Sequence, residues 1–219
     1  MILSAIALQI YVPRVAAGAI RSAVTQDLHA EAAVQVQGYF WQLAQGSFLR
    51  LRMQLGPSSL EGYRLQSLSL RWQEGRIDLQ SLLAGQVRVL RPGRLAVRLV
   101  MSQDALRTAV DLALRRAIPK GATGSLPAVS VTPRSITLRG SVTFLDLPVR
   151  YRVDGDLVVE NGGEVLAFQP RDFNDSVLHL PPVPVLRMRD LPRIPGLPLH
   201  IVGVRLLKGA LAITLAGPR

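Results

Sequence analysis

Leu49-Arg50-Leu51-Arg52-Met53-Gln54-Leu55 alternates apolar and polar residues without a break. Successive side chains on a strand point to opposite faces, so this stretch predicts a strand with one buried and one solvated face. Antiparallel sheets accept such strands, whereas parallel sheets covered on both faces are built from continuous apolar runs. The same signature extends to either side. Val34 and Val36 alternate with Gln35 and Gln37. Tyr63 to Trp72 alternates too, but its phase shifts around Ser67, where Leu65 is followed by Leu68, Leu70 and Trp72. Such a shift predicts a β-bulge or a change of face, the device that bends a sheet into a roll. Glu74-Gly75 reads as a turn into Arg76-Ile77-Asp78-Leu79. Leu95, Val97, Leu99 and Met101 then form a strand with Arg94 and Arg98 outward.

Two segments carry the helical period instead. Val12, Val15, Ala16, Ala19, Ile20, Ala23, Val24 and Leu28 predict a first helix from about Tyr11 to Leu28 with one apolar stripe. Pro13 fits only near its start, or marks a kink. Ser102 is the expected N-cap of a second helix, with Asp104 in its first turn. Asp104, Arg107, Thr108, Asp111 and Arg115 make its polar stripe, and Leu106, Ala109, Val110, Ala113 and Ala117 the opposite one. Arg115 and Arg116 suit its C-terminal end, and Pro119 stops it.

Strand signals then resume. Val129 and Val131 precede a turn at Pro133-Arg134, and Ile136-Thr137-Leu138 leads through Arg139-Gly140 into Val142 to Val153. Leu157-Val158-Val159 and Val165 to Phe168 flank Asn161-Gly162-Gly163, a strong hairpin signal. Leu180 to Pro198 holds six of the fifteen prolines and reads as a stiff, extended connector, not a central strand. Ile201 to Leu207 and Ala210 to Leu215 form a closing hairpin turned by Lys208-Gly209. Two helices against a dozen strand segments predict an α+β fold: a strongly curved antiparallel β-sheet rolled around two amphipathic helices. The order helix, strands, helix, strands divides a single domain at 13–219 into halves of about 13–101 and 102–219. A pattern of alternating apolar residues around a glycine recurs at Leu68 to Leu79, Ile136 to Phe144 and Val204 to Ile213, a weak internal repeat.

With 219 residues and 48% hydrophobic composition, the chain is long and apolar enough for a packed core. Aromatics are only 5%, so that core is aliphatic. The net charge of +11 favours anionic partners: nucleic acid, acidic lipid headgroups or a polyanionic wall. Nucleic-acid binders concentrate charge on one helix, arm or loop with aromatics nearby. Here arginines alternate with apolar residues along strands, so nucleic acid is not the expected partner. The absence of cysteine removes disulfides and thiolate chemistry and leaves the compartment open, the cytoplasm included. Residues 1–12 form an apolar lead, well short of the roughly 20 residues of a membrane-spanning helix. This lead has three readings: the start of a buried helix, a truncated export signal or anchor, or a short membrane-dipping segment.

Catalytic patterns are missing. His29, His179 and His200 lie far apart with no ligand spacing, and neither a nucleophile elbow nor a phosphate-cradling loop occurs. Asp154 and Asp156 around Gly155, and Asp172 and Asp175 around Phe173-Asn174, are read as turn formers before they are read as cation ligands or a dyad. No catalytic residue, metal site or cofactor is expected. The strongest functional signal is Gly38-Tyr39-Phe40-Trp41-Gln42-Leu43-Ala44-Gln45-Gly46-Ser47-Phe48, which holds four of eleven aromatics. It reads either as a loop plugging the end of a core or as an amphipathic rim at a membrane interface or lipid-sized cavity.

That segment belongs to an ordered series. A helix precedes Gly38-Tyr39-Phe40-Trp41-Gln42-Leu43-x-x-Gly46; Gly62-Tyr63-x-Leu65-x-Ser67-Leu68 and Ile77-Asp78-x-x-x-Leu82-Leu83-x-Gly85 follow. Ser102-x-Asp104-x-Leu106 and a proline-rich approach to the final hairpin complete it. The series resembles the LmeA family of bacterial phospholipid-binding proteins over nearly the whole chain, although many members have Gly-Phe-Pro where this chain has Gly38-Tyr39-Phe40. The resemblance implies a TULIP-like architecture, in which curved sheet wraps a long helix and acyl chains lie in an apolar interior. It also implies an extracytoplasmic, membrane-associated protein of the cell envelope, often with an N-terminal signal or anchor. The expected function is therefore non-catalytic binding of a phospholipid or related amphipathic lipid, with an anionic membrane surface as a further partner. Tyr39, Phe40, Trp41, Leu43 and Phe48 are expected at the entrance or lining, and Leu49, Leu51, Met53, Leu95, Val97 and Leu99 on an inner face. Two rivals are an envelope scaffold or assembly factor of the same fold with a filled interior, and a basic nucleic-acid-binding protein.

Overall fold

The computed structural model describes residues 11–18, 20–22, 25, 31–60, 63–84, 88–117, 123–124, 128–144, 147–174, 176–177, 182–191 and 197–217. The fold is α+β, mostly antiparallel sheet with few helices. The chain divides into two compact units. One comprises Met1–Leu99, Pro192–His200 and Thr214–Arg219; the other comprises Val100–Leu191 and Ile201–Ile213.

In the first unit, residues 11–18, 20–22 and 25 are helical, as their spacing predicts. Of the expected apolar stripe, Val12, Ala16 and Ile20 are half-buried and Val15 is 51% exposed, so none of these positions belongs to the buried core. Ala19, Ala23, Val24 and Leu28 lie outside the described residues. Strands follow as β1 (Ala32–Gln37), β2 (Arg50–Leu55), β3 (Ser58–Leu60), β4 (Tyr63–Gln73), β5 (Arg76–Ile77), β6 (Val89–Arg91) and β7 (Arg94–Ser102). Two short helices, α1 (Phe40–Ala44) and α2 (Leu79–Leu83), interrupt them. The sheet runs β1-β2-β4-β7, with β3 on β4.

Antiparallel register sorts this sheet into two chemically opposite faces. Inward, Ala32 lies beside Leu55 and Leu68, Val34 beside Met53 and Leu70, and Val36 beside Leu51 and Trp72. Outward, Gln35 lies beside Arg52 and Arg71, and Gln37 beside Arg50 and Gln73. The phase shift of β4 is a change of face. Its register against β3 (Ser58↔Leu65) continues in line with that against β2 (Leu55↔Leu68), while Leu65 and Leu68, on opposite faces, are both buried. Gly56-Pro57 interrupts the neighbouring strand at this point, where proline has no N–H to donate to a ladder.

The second unit is built on β8 (Thr123–Gly124), β9 (Ala128–Val131), β10 (Ile136–Phe144), β11 (Leu147–Glu160), β12 (Val165–Phe173), β13 (Ser176–Val177) and β14 (Val183–Arg187). Their order is β8-β10-β11-β12-β13, with β9 on β10 and β14 on β12. The helix α3 (Gln103–Ala117) packs against β9 and β14 through Ala105, Leu106, Ala109 and Val110, all buried. Ser102 caps it as expected, its Oγ accepting the Ala105 N–H at 3.1 Å. Asn161-Gly162-Gly163 turns β11 into β12, with all three residues at positive φ. The closing hairpin is β15 (His200–Leu207) and β16 (Ala210–Ala216), with Gly209 at φ +71.

Several expectations need correction here. Val142 to Val153 is not one continuous strand: β10 ends at Phe144 and β11 begins at Leu147, and the two pair antiparallel so that Gly140, inside β10, faces Tyr151 across the ladder. A Cβ on Gly140 would lie 2.6 Å from the Tyr151 hydroxyl, so the glycine leaves room for the ring to lie across the strand. Ile136 to Phe144 is thus one strand while Val204 to Ile213 is a hairpin, and the glycine-centred pattern is no structural repeat. Asp154, Gly155 and Asp156 do not form a turn: they run straight through β11, opposite a bulge that leaves Arg171 of β12 without a partner in the register. Part of the proline-rich stretch, Val183–Arg187, pairs with β12; the register shifts between Leu166 and Ala167, next to the Ala167↔Pro184 pair.

Tyr151 makes one prediction. Burial, and secondarily the negative charge of Asp111, raises its pKa above the ordinary 10.0. The unfolded chain therefore loses this proton first as pH rises. The contribution is intact below about pH 10 and is lost as pH climbs through the folded-state value. Tyr151→Phe should accordingly lose less stability than the parent between about pH 9 and pH 11. Urea midpoints at the two pH values check this, and equal losses would remove Tyr151 as the cause.

Candidate functional site

The aromatic segment begins where β1 ends. Gln42 and Leu43 both donate their N–H to the Tyr39 carbonyl, at 2.9 and 3.0 Å, which winds Phe40–Ala44 into the short α1. Ser47 N–H returns to the Gln42 carbonyl at 2.8 Å, and Gly46 (φ +75) ends the turn. The segment is then tied to the sheet. Phe48 donates to the Gly75 carbonyl (3.1 Å), Leu49 to the Gln37 carbonyl (2.9 Å), and Ile77 to the Gly46 carbonyl (2.9 Å).

This winding splits the segment in two. Leu43 and Phe48 are buried, and Phe40 is half-buried. Tyr39 and Trp41 are 49% and 52% exposed, and their rings stack on each other with centroids 4.8 Å apart. Phe40 meets Trp41 edge-on at 5.2 Å. Buried and exposed side chains thus come from the same short turn, Leu43 and Phe48 inward and Tyr39 and Trp41 toward solvent.

Leu51, Met53, Leu95, Val97 and Leu99 are all buried, on the inward face of β2 and β7. Leu49, in the same sequence phase, is 46% exposed, because it precedes the first residue of β2. Sequence reasoning passed over two members of this face. Trp72 packs edge-to-face on Phe48 at 4.9 Å and donates its Nε1–H to the Pro92 carbonyl. Gly75 lies against both rings: a Cβ there would come within 2.6 Å of Phe48 Cζ and of Trp72 Cε2. The signal was the lone tryptophan at the end of an alternating strand, but its partner Phe48 is 24 positions away.

The chemistry of the interior is uniform. Among the described residues no polar or charged side chain is buried, so that interior offers apolar contact alone. The acids that do stand out are engaged by arginines. Glu74 pairs with Arg94 (3.1 Å), Asp154 with Arg152 (2.9 Å), and Asp156 with Arg171 (3.0 Å). Asp78 caps α2, accepting from Ser81 Oγ (2.9 Å) and Gln80 N–H (3.1 Å); the Ser81 bond above all holds its carboxyl below the usual value. No group of acids and histidines able to hold a metal occurs among the described residues. No helix among them is long and apolar enough to cross a membrane.

No curated protein and no solved structure matches the chain. A family model does, described as LmeA-like phospholipid-binding, over residues 6–216. With a match that spans nearly all of its length, an antiparallel scaffold and an aliphatic interior, the chain belongs to the LmeA-like phospholipid-binding family.

Proposed function

We propose that this protein reversibly binds a diacyl phospholipid or a polyprenyl-type lipid at the bacterial cell envelope, without catalysis. The observation that carries the reading is the inward face of the first unit's sheet. Its rows, Val34–Met53–Leu70 and Val36–Leu51–Trp72 among them, are entirely apolar. Acyl chains gain roughly 0.8 kcal/mol for each CH2 removed from water, and an aliphatic surface provides that gain without demanding a directional partner. Leu51, Met53, Leu95, Val97 and Leu99 would line the acyl site, with Leu43 and Phe48 closing its end. Tyr39, Phe40 and Trp41 would stand at the entrance, facing the interface between headgroups and water that Trp and Tyr favour. In this reading the interior is a TULIP-like lipid cavity and the surrounding arginines bring the protein to an anionic membrane.

The test is native mass spectrometry with lipid extraction on protein purified without detergent, together with transfer of labelled lipid between vesicles. A bound lipid or measurable transfer is expected; neither would sink the reading. Trp41→Ala should weaken vesicle binding by roughly fivefold while leaving the unfolding midpoint within experimental error, since an exposed side chain contributes little to stability. Unchanged vesicle affinity would take the aromatic turn out of the site.

A further inference from the structure

The outward face of the same sheet carries a pattern that folding does not explain. Arg52 and Arg71 are directly opposed across β2 and β4, with Gln35 completing their row on β1. The next row is Gln37, Arg50 and Gln73. The three arginines are exposed, and none makes an ion pair with another described residue. Rows on one face are about 7 Å apart along a strand and strands about 4.8 Å apart, so three guanidinium groups share a small area. Like charges placed directly opposite each other destabilise a sheet. No acid occupies either row, whereas on the neighbouring β7 the outward Arg94 is neutralised by Glu74.

We infer that this arginine face docks the protein on an anionic phospholipid bilayer. A surface of headgroup phosphates supplies the missing countercharge to all three arginines at once, and it does so to a broad face as readily as to a groove. The surroundings favour a bilayer over a nucleic acid. The Arg50 end of the face adjoins Leu49, 46% exposed, and Leu49 is hydrogen-bonded to Gln37, two residues before Tyr39. Exposed Leu49, Tyr39 and Trp41 thus occur near the end of the sheet that carries the Arg50 row, and such residues suit the apolar–polar boundary of a membrane. Tyr39 and Trp41 already stack on each other with ring planes 1° apart, so one face of each ring is taken before any base arrives.

The choice of a lipid partner rests on the proposed function; the location of the face rests on register alone. The probe is cosedimentation with vesicles of 30 mol% (about one lipid in three) phosphatidylglycerol in phosphatidylcholine, against pure phosphatidylcholine. Each arginine near such a surface strengthens partitioning roughly fivefold, so Arg50→Gln, Arg52→Gln and Arg71→Gln together should weaken anionic-vesicle binding about a hundredfold. The triple lysine variant should bind within about threefold of the parent, since a diffuse surface reads charge more than fork geometry. Arg52→Gln alone, which removes the opposed pair, should bind about fivefold more weakly and unfold no earlier than the parent. Unchanged partitioning of the glutamine variants overturns the inference, and so does tighter binding of a single-stranded oligonucleotide with the same arginine dependence. Lipid retained in native mass spectra of the triple glutamine variant keeps the two readings separable: docking then fails or holds independently of the interior site.

Discussion

Trp72→Ala should lower the stability of the protein by about 3–5 kcal/mol, the usual cost of truncating a buried aromatic side chain. Three losses coincide at this position. The ring is buried opposite Leu51 and against Phe48, so its removal leaves a cavity in the inward face of the sheet. The edge-to-face contact with Phe48 adds about 0.5–1.5 kcal/mol beyond area burial. The Pro92 carbonyl also loses its indole donor. Trp72→Phe should recover much of the packing but not the hydrogen bond, and so fall between Ala and the parent. Urea denaturation of Trp72→Ala, Phe48→Ala and the double variant measures the terms. A loss below 1 kcal/mol for Trp72→Ala, or additive effects of the pair, would show that the two rings do not form one unit (roughly 0.5 kcal/mol of coupling is the resolvable limit).

Gly46→Ala is the second large effect. The residue sits at φ +75, a conformation that costs an alanine about 1 kcal/mol or more before any contact is made. A Cβ would also lie 2.1 Å from the Ile77 carbonyl oxygen and 3.2 Å from its carbon. Both are backbone atoms, so no rotamer relieves the overlap. The Ile77 N–H to Gly46 carbonyl bond, which ties the aromatic turn to β5, must move with them. A total cost of about 3 kcal/mol is expected. The same variant should also bind vesicles more weakly than the parent, because the turn that presents Tyr39 and Trp41 is displaced. Gly56→Ala is the control: a Cβ there meets nothing within 4 Å. It should change stability by no more than about 0.5 kcal/mol. Equal stability of the two variants would remove the steric argument at Gly46.

The alternation of β2 reads the same in the chain and in the fold because a period of two is a local property of extended backbone. Caps and tight turns are local in the same sense. Ser102 at the start of α3, Asn161-Gly162-Gly163 and Lys208-Gly209 act within a few residues of themselves, and each does what its chemistry predicts. Glycine inside a strand is different. Gly140 resembles a turn residue until Tyr151 is placed across the ladder from it, eleven positions later in the chain. Asp154-Gly155-Asp156 likewise shows itself as strand, facing a bulge at Arg171, only when β12 is paired beside it.

The aromatic segment stands out in the sequence by its composition, but not by which of its side chains face solvent. Its composition marked Gly38 to Phe48, but only the winding of α1 determines that Phe48 turns inward to Trp72 while Tyr39 and Trp41 stack outward. The two faces of the first sheet divide the same way. That Leu51 and Met53 point one way and Arg50 and Arg52 the other follows from the amino-acid sequence by itself. That Arg52 meets Arg71, leaving two like charges face to face, is decided by the tertiary structure alone. Alternation sets which face a side chain occupies, whereas register sets its neighbour, and register depends on contacts between residues far apart in the chain.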